Sequence, residues 1–176
     1  MPNSQKPDFL TDYNNALEIA KAAHSGQKDK GGFDYILHPV TVSNFCETDD
    51  AKVAALLHDV VEDTEITIEN LREMGVKSEI LAAVDAISKR EGEDRNDYLD
   101  RVAKDKIATE VKFCDMLHNS DYTRLSGVCP IDYAKTVCKR YVDRMGILME
   151  KAEGVSILPQ SVLDAVNERI RAYENI

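Results

Sequence analysis

What the chain lacks narrows it before any motif is read. No run of basic residues interrupts a sequence whose formal net charge is −10 over 176 residues. Such an acidic field argues against a general nucleic-acid binder or a membrane-surface protein. It admits an anionic substrate only with local help from a metal or a few positioned lysines and arginines. No stretch reaches the apolar length needed to span a bilayer. The opening residues MPNSQKPDF contain no apolar segment, so no secretory signal and a cytoplasmic location are expected. The four cysteines, Cys46, Cys114, Cys129 and Cys138, form no CxxC pair, and reduced core thiols are expected rather than disulfides or a zinc site. Internal repeats, low-complexity segments, long linkers and alternating strand patterns are also missing.

What is present reads as a soluble, helical, globular chain. Apolar residues make up 43% and charged residues 31%, a balance that favours a packed core over disorder. Helical periodicity dominates and predicts an all-α fold of about nine helices in one domain spanning residues 1–176. A first helix fits Asp12 to about Ser25, and a second begins near Pro39, a good first-turn residue. Asp49 or Asp50 caps a third, which runs to about Glu62. Thr67 caps a short fourth that Gly75 ends, and Ser78 opens a fifth reaching about Ser88. The sixth covers roughly Asn96 to Lys104 and the seventh Ile107 to Tyr122, with KREGEDR between the fifth and sixth as a solvated turn. The eighth follows Pro130 with a buried stripe of Val137, Tyr141, Met145 and Leu148. The ninth follows Pro159 with Val162, Val166 and Ile170.

The third helix poses the chemical question. LLHDVVEDT, Leu56 to Thr64, threads a histidine and three carboxylates through apolar surroundings, where an unpaired charge is expensive. On one continuous helix His58, Asp59, Glu62 and Asp63 share a broad face, while Leu56, Leu57, Val60 and Val61 are left to pack. Alone, the stretch is either an acidic helix end or a cation site. Two further places bear on the choice. His38 stands just before Pro39, and VKFCDMLHN sets Asp115 among Val111, Phe113 and Leu117. His38, His58, Asp59 and Asp115 would together offer two imidazoles and two carboxylates from three helices. That donor set suits manganese, iron, cobalt or zinc better than calcium or magnesium. An ion there with open positions would acidify a bound water and neutralise a phosphoryl oxygen. Glu62 and Asp63, one turn along, are placed to move a proton to or from that water or a leaving group. Otherwise they are surface acids.

Three motifs in order, AHSGQKDKGGFDYILHP, LLHDVVEDT and VKFCDMLHN, resemble those of the HD-domain hydrolases of the RelA/SpoT type, including the small single-domain alarmone hydrolases. The resemblance covers roughly Asp12 to Leu125, with the helices from about residue 130 to 176 less marked. It implies metal ligands at His38, His58, Asp59 and Asp115, a catalytic acidic pair at Glu62 and Asp63, and substrate contacts at Lys30, Tyr35 and Asn119. It also implies a manganese-dependent helical hydrolase that removes the 3′-pyrophosphate of guanosine tetraphosphate, an activity of the stringent response. An animal relative is credited with removing the 2′-phosphate of NADPH.

Two departures cut against a highly charged substrate. The family usually reads GQxRKSGxPY at the loop and HNMR after the third motif; here Asp29 and Asp121 stand where those arginines would be. If both face the cleft, the field becomes more negative by about four charges. Arg124 would restore one charge if the chain brings it back. Asp34 replaces the proline before Tyr35, which a loop can absorb. The DK pair, EGEDRNDYLDRV and NSDYTRL resemble a less characterised branch of small bacterial HD phosphohydrolases.

Several residues stay open between roles. His24 is either a donor orienting a ligand or a satisfied helix-end histidine, and His118 is not counted as a ligand. Asn119 either bonds substrate or caps its helix. Lys112 either pairs with a carboxylate near the metal or reaches a phosphate. Lys139, Arg140 and Arg144 read as the outer face of the eighth helix. The functions compatible with the sequence are a metal-dependent phosphohydrolase of a nucleotide, releasing pyrophosphate or orthophosphate, and a nucleotide-binding regulatory module with an idle site. A purely structural domain would bind no metal. No synthetase-like second domain is present, so hydrolysis without the opposing synthesis is expected. The oligomeric state is left open.

Overall fold

The computed structural model describes residues 9–125, 127–153 and 158–174; the first eight residues of the opening segment lie outside these. Among the described residues there are ten α-helices and one 3₁₀ turn, with no strand beyond an isolated bridge between Lys28 and Asp34. The fold is all-α, as the periodicity predicts. The helices are α1 (Phe9–Ala23), α2 (Leu37–Phe45), α3 (Asp49–Leu57), α4 (Val60–Asp63), α5 (Ile68–Glu73), α6 (Ser78–Ile87), α7 (Arg95–Ala103), α8 (Lys106–Asn119), α9 (Ile131–Ala152) and α10 (Gln160–Glu174), with the 3₁₀ turn at Tyr122–Leu125.

The count exceeds nine because the expected third helix is two. It breaks at His58 and Asp59, between α3 and α4. Ala55 O, which in an unbroken helix would accept from the Asp59 amide, instead lies 2.7 Å from His58 Nδ1. The break separates Glu62 and Asp63 from the helix that ends at His58. Capping also differs in detail. Thr48, not Asp49 or Asp50, caps α3 by accepting from Ala51 N, and Lys77, not Ser78, precedes α6 without a side-chain cap. Thr67 caps α5 in a full capping box with Asn70, as the S/T-x-x pattern favours.

Two helices are buried nearly all round and form the spine. In α3, Ala51, Val53, Ala54, Ala55, Leu56 and Leu57 are all buried. In α8, burial is continuous from Ile107 to Leu117 except at Lys112. A helix apolar on every side belongs in a core, and here α1, α2, α6 and α8 pack around α3. Glu110, buried on α8, is the one buried carboxylate outside the site among the described residues. It accepts from Glu47 N at 2.7 Å, Thr48 N at 3.0 Å and Thr48 Oγ1 at 2.7 Å, so α8 holds the turn between α2 and α3. That lock sets His38 and His58 against Asp115. At the other end of α8, Arg169 Nη1 donates to Leu117 O and Ser120 Oγ, and Tyr173 OH donates to Ser120 O at 2.6 Å. All four cysteines are free thiols, three of them buried and Cys129 half-buried.

Candidate metal centre

The break at His58 and Asp59, the start of α2 and the middle of α8 meet at one point. His38, His58 and Asp115 are buried, and their donor atoms lie within 4.8 Å of one another. His38 Nε2 is 3.3 Å from Asp115 Oδ1 and 3.4 Å from Asp59 Oδ2. His58 Nε2 is 3.0 Å from Asp59 Oδ2 and 3.8 Å from Asp115 Oδ1. All four residues read from the sequence as ligands therefore converge.

The ring orientations aim a nitrogen of each imidazole where a cation would sit. His58 Nδ1–H donates to Ala55 O, which turns Nε2 inwards, and that buried atom has no hydrogen-bond partner of acceptable geometry. Hydrogen bonding of one ring nitrogen while the other faces an ion is the usual second contact of a metal-bound imidazole. His38 is held likewise: its Nδ1 lies 2.7 Å from His118 Nδ1. Burial, together with the charges of Arg124 and His38, pushes the His118 pKa down to about 4. A neutral His118 accepts, His38 Nδ1–H donates, and His38 Nε2 faces the carboxylates.

The electrostatics have the same sense. Burial disfavours a charged His58, but the Asp59 and Asp115 carboxylates outweigh it and raise its pKa to about 10. Burial likewise opposes ionised Asp59 and Asp115, yet the neighbouring imidazoles, with Lys112 beside Asp115, hold both below the ordinary carboxylate value. The pocket thus favours positive charge at its centre, which a divalent ion would supply. The donor set and the inward Nε2 atoms fit such an ion, which would take the place of the proton that the carboxylates favour on His58.

Further groups brace the carboxylates. Tyr35 OH donates to Asp59 Oδ2 at 2.6 Å and reaches Asp63 Oδ2 at 3.3 Å. Lys112 Nζ bonds Asp115 Oδ2 at 2.8 Å, which resolves its role in favour of the carboxylate. Asn119 Nδ2 donates to Asp115 Oδ1. His24 bonds Gln27 through Nδ1 and lies against the Tyr35 ring, with centroids 4.8 Å apart; it touches no ligand. Glu62 and Asp63 are exposed at the rim, and Glu62 Oε2 accepts from Lys89 N at 2.9 Å, so KREGEDR is tied to the site rather than merely solvated.

The centre opens into a cleft of about 530 Å³ lined by Lys30, Tyr35, Glu62, Asp63 and Asn119 as well as the ligand residues. That size suits a small-molecule site. Residues 16–118 match the family model of the HD domain. The chain belongs to the HD domain family.

Relatives of this HD domain chain carry related names. It is 35% identical over 117 residues to a probable GTP pyrophosphokinase of Mycobacterium leprae, covering 59% of this chain and 15% of that protein. It is 44% identical over 75 residues to the guanosine-3′,5′-bis(diphosphate) 3′-pyrophosphohydrolase of Haemophilus influenzae, covering 40% of this chain and 11% of the relative. The chain thus spans a small fraction of the length of these proteins. A solved structure described as a metazoan ortholog of SpoT that hydrolyses ppGpp matches with a TM-score of 0.73 at 20% identity, over 98% of this chain and 100% of that one. At that identity the match shows a shared HD-type fold.

The cleft also holds residues that the sequence reading left open or placed elsewhere. Asp29 and Asp121 both line it, but Asp29 is neutralised: Arg124 Nη2 bonds its carboxylate at 2.9 Å, and Gly31 N and Phe33 N donate to it. Gly31 is tightly placed there, since a Cβ would lie 3.0 Å from Arg124 O. Asp34 pairs with Lys28 at 2.6 Å across the bridge. Arg140 and Arg144 are not the outer face of their helix; with Arg95, Val137 and Tyr141 they line the cleft. Lys139 is outside, paired with Asp143. The signal was the four-residue spacing of Arg140 and Arg144 around Tyr141, already assigned to the inward stripe.

Proposed function

We propose that this HD domain is a divalent-metal-dependent phosphohydrolase acting on a phosphorylated nucleotide, with guanosine tetraphosphate 3′-pyrophosphohydrolysis as the first candidate reaction. The observation that supports it best is the convergence of two imidazole Nε2 atoms and two carboxylates at the floor of a nucleotide-sized cleft. His38, His58, Asp59 and Asp115 would hold the ion, and the mixed nitrogen and oxygen set suits manganese. When bound, the ion would supply Lewis-acid polarisation of a phosphoryl oxygen and a more acidic water. Tyr35 fixes Asp59 and reaches Asp63, so that Glu62 and Asp63 stand at the rim as the proton-handling pair. Lys30, exposed on the loop, and Asn119, beside Asp115, would contact the substrate. A nucleotide substrate is consistent with a cytoplasmic protein, and no described helix is long and apolar enough to cross a membrane.

A second reading is a phosphatase of a less charged nucleotide such as NADPH. It is favoured by Asp29, which occupies an arginine's place and takes up the charge of Arg124.

The test is a product-resolved assay. Metal-free protein is reloaded with manganese and given guanosine tetraphosphate, NADPH and a nucleotide panel, with Asp59→Ala as control. Manganese-dependent pyrophosphate release from guanosine tetraphosphate, lost in the control, is the expected result. Orthophosphate release from NADPH would establish the second reading instead. Stoichiometric manganese binding with no turnover on the whole panel would replace both with a nucleotide-binding regulatory module.

A further inference from the structure

His24 is open between two roles on sequence alone, and its surroundings decide between them. AHSGQ closes α1 with a turn. Gly26 takes φ +78°, a left-handed backbone that glycine adopts without strain, and Gln27 N comes back to donate to His24 O at 3.1 Å. Gln27 is then a junction. Its carbonyl accepts from Tyr35 N at 3.0 Å. Its Oε1 lies 2.9 Å from His24 Nδ1, and its Nε2 donates to Asp63 O at 3.4 Å. The Tyr35 ring packs on the His24 ring, and its hydroxyl bridges Asp59 Oδ2 and Asp63 Oδ2.

The orientations follow one from the next. Asp63 O can only accept, so the Gln27 amide turns its nitrogen towards it and its oxygen towards His24. That oxygen also can only accept, so His24 carries a proton on Nδ1. Its Nε2 is then left buried with no hydrogen-bond partner. A buried polar atom without a partner costs stability that an apolar side chain at this position would not. Packing alone therefore does not account for an imidazole here, whereas the Nδ1–H bond to Gln27 does. The two rim carboxylates are held from opposite sides. Glu62 is anchored by Lys89 N on the turn after α6. Asp63, exposed at the end of the four-residue α4, is held from the loop after α1 by both its carboxylate and its carbonyl.

We propose that His24, acting through Gln27, is a positioning residue for Asp63. It orients the amide that holds the end of α4 and so sets where the Asp63 carboxylate stands beside Tyr35 and the metal centre. The inference deepens the phosphohydrolase reading and rests on it for the role of Asp63.

The test uses the full chain and separates the donor from the ring. His24→Asn keeps an N–H donor at the place of Nδ1 but loses most of the ring; His24→Leu keeps apolar bulk and loses the donor. In manganese-dependent turnover of guanosine tetraphosphate, His24→Leu is expected to lower kcat about ten- to hundredfold, the cost of displacing a proton-handling group from outside the site. KM and manganese affinity should stay near those of wild type. His24→Asn should recover most of kcat. The metal-free melting temperature of His24→Leu should not fall below that of His24→Asn, the opposite order to the activities. If His24→Leu does not fold, Gln27→Leu, at a half-buried loop position, should repeat the fall in kcat with KM kept. A second readout needs no turnover: hydrogen exchange across residues 59–64, followed by mass spectrometry, should quicken in His24→Leu and Gln27→Leu but not in His24→Asn. Full kcat in His24→Leu, or a loss that follows the ring and not the donor, would overturn the role of His24 while hydrolysis itself stands. If the wild-type protein hydrolyses nothing, exchange decides. Faster exchange in His24→Leu than in His24→Asn would keep the brace and remove the reaction, and equal exchange in both variants and wild type would remove the brace as well.

Discussion

His118 is not among the four groups that converge on the metal centre, yet it governs one of them. Its Nδ1 lies 2.7 Å from His38 Nδ1, with the two rings 16° from coplanar and their centroids 4.9 Å apart. With an ion on His38 Nε2, His38 carries its proton on Nδ1 and donates it to His118 Nδ1, which accepts in the neutral tautomer protonated on Nε2. Removing such an outer hydrogen bond costs metal affinity about ten- to a hundredfold in other sites. His118→Ala is therefore expected to weaken manganese binding by about that factor in equilibrium dialysis. His118→Gln, which can again offer an acceptor, should recover part of the loss. Equal affinity in all three proteins would reduce His118 to packing. The sequence motif displays His118 but not its partner, because eighty positions separate it from His38 and only the docking of α2 on α8 brings them together.

At the scale of elements, the existence of nearly every helix was legible in its apolar period, because core-facing positions recur every three to four residues. The break inside LLHDVVEDT was not. It depends on whether Ala55 O receives the Asp59 amide or the His58 ring, a competition that periodicity does not register. The donors His38, His58, Asp59 and Asp115 stood out as polar groups in apolar runs. Arg140 and Arg144 did not, since an exposed arginine beside an inward stripe looks the same facing water or facing a cleft. The link between α6 and α7 was hidden too. Arg101 donates to Asp85 O, Ala86 O and Ser88 O and grips Glu93 with Nε and Nη2, as close as 2.6 Å. This clamp holds the turn whose Lys89 amide anchors Glu62. The Arg101 hydrogen bond, against some burial, keeps the Glu93 pKa below its ordinary value of 4.5. A depressed carboxylate pKa stabilises the fold above the unfolded value, and that contribution is lost as pH falls through the folded one. Glu93→Gln is expected to cost about 1.5–3 kcal/mol at neutral pH. The gap to wild type should narrow once the pH drops below about 4.5, measured by urea unfolding across the range. A gap that holds constant into strong acid would show that the pair contributes through shape and not charge.

For the whole molecule, the metal centre is a point where distant parts of the chain are tied together. His38 opens α2, His58 and Asp59 sit in the break after α3, and Asp115 lies in the middle of α8, so an ion bound by all four would add a further link among helices already joined by apolar packing and by the Glu110 and His118 hydrogen bonds. Binding to the folded state alone stabilises it by mass action, by about 2.7 kcal/mol when the free ion stands at a hundred times its dissociation constant. For a chain of this size each kcal/mol moves the melting temperature by about 2–4 °C. Manganese at that level should therefore raise it by about 5–10 °C, and a chelator should reverse the shift. Asp59→Ala, which withdraws one donor together with its contacts to His38 and Tyr35, should lose most of the rise measured from its own metal-free melting temperature. That contrast separates linkage through the ion from packing: if the two proteins respond to manganese alike, the ion is held elsewhere and the convergence of these four side chains is not what ties the three helices.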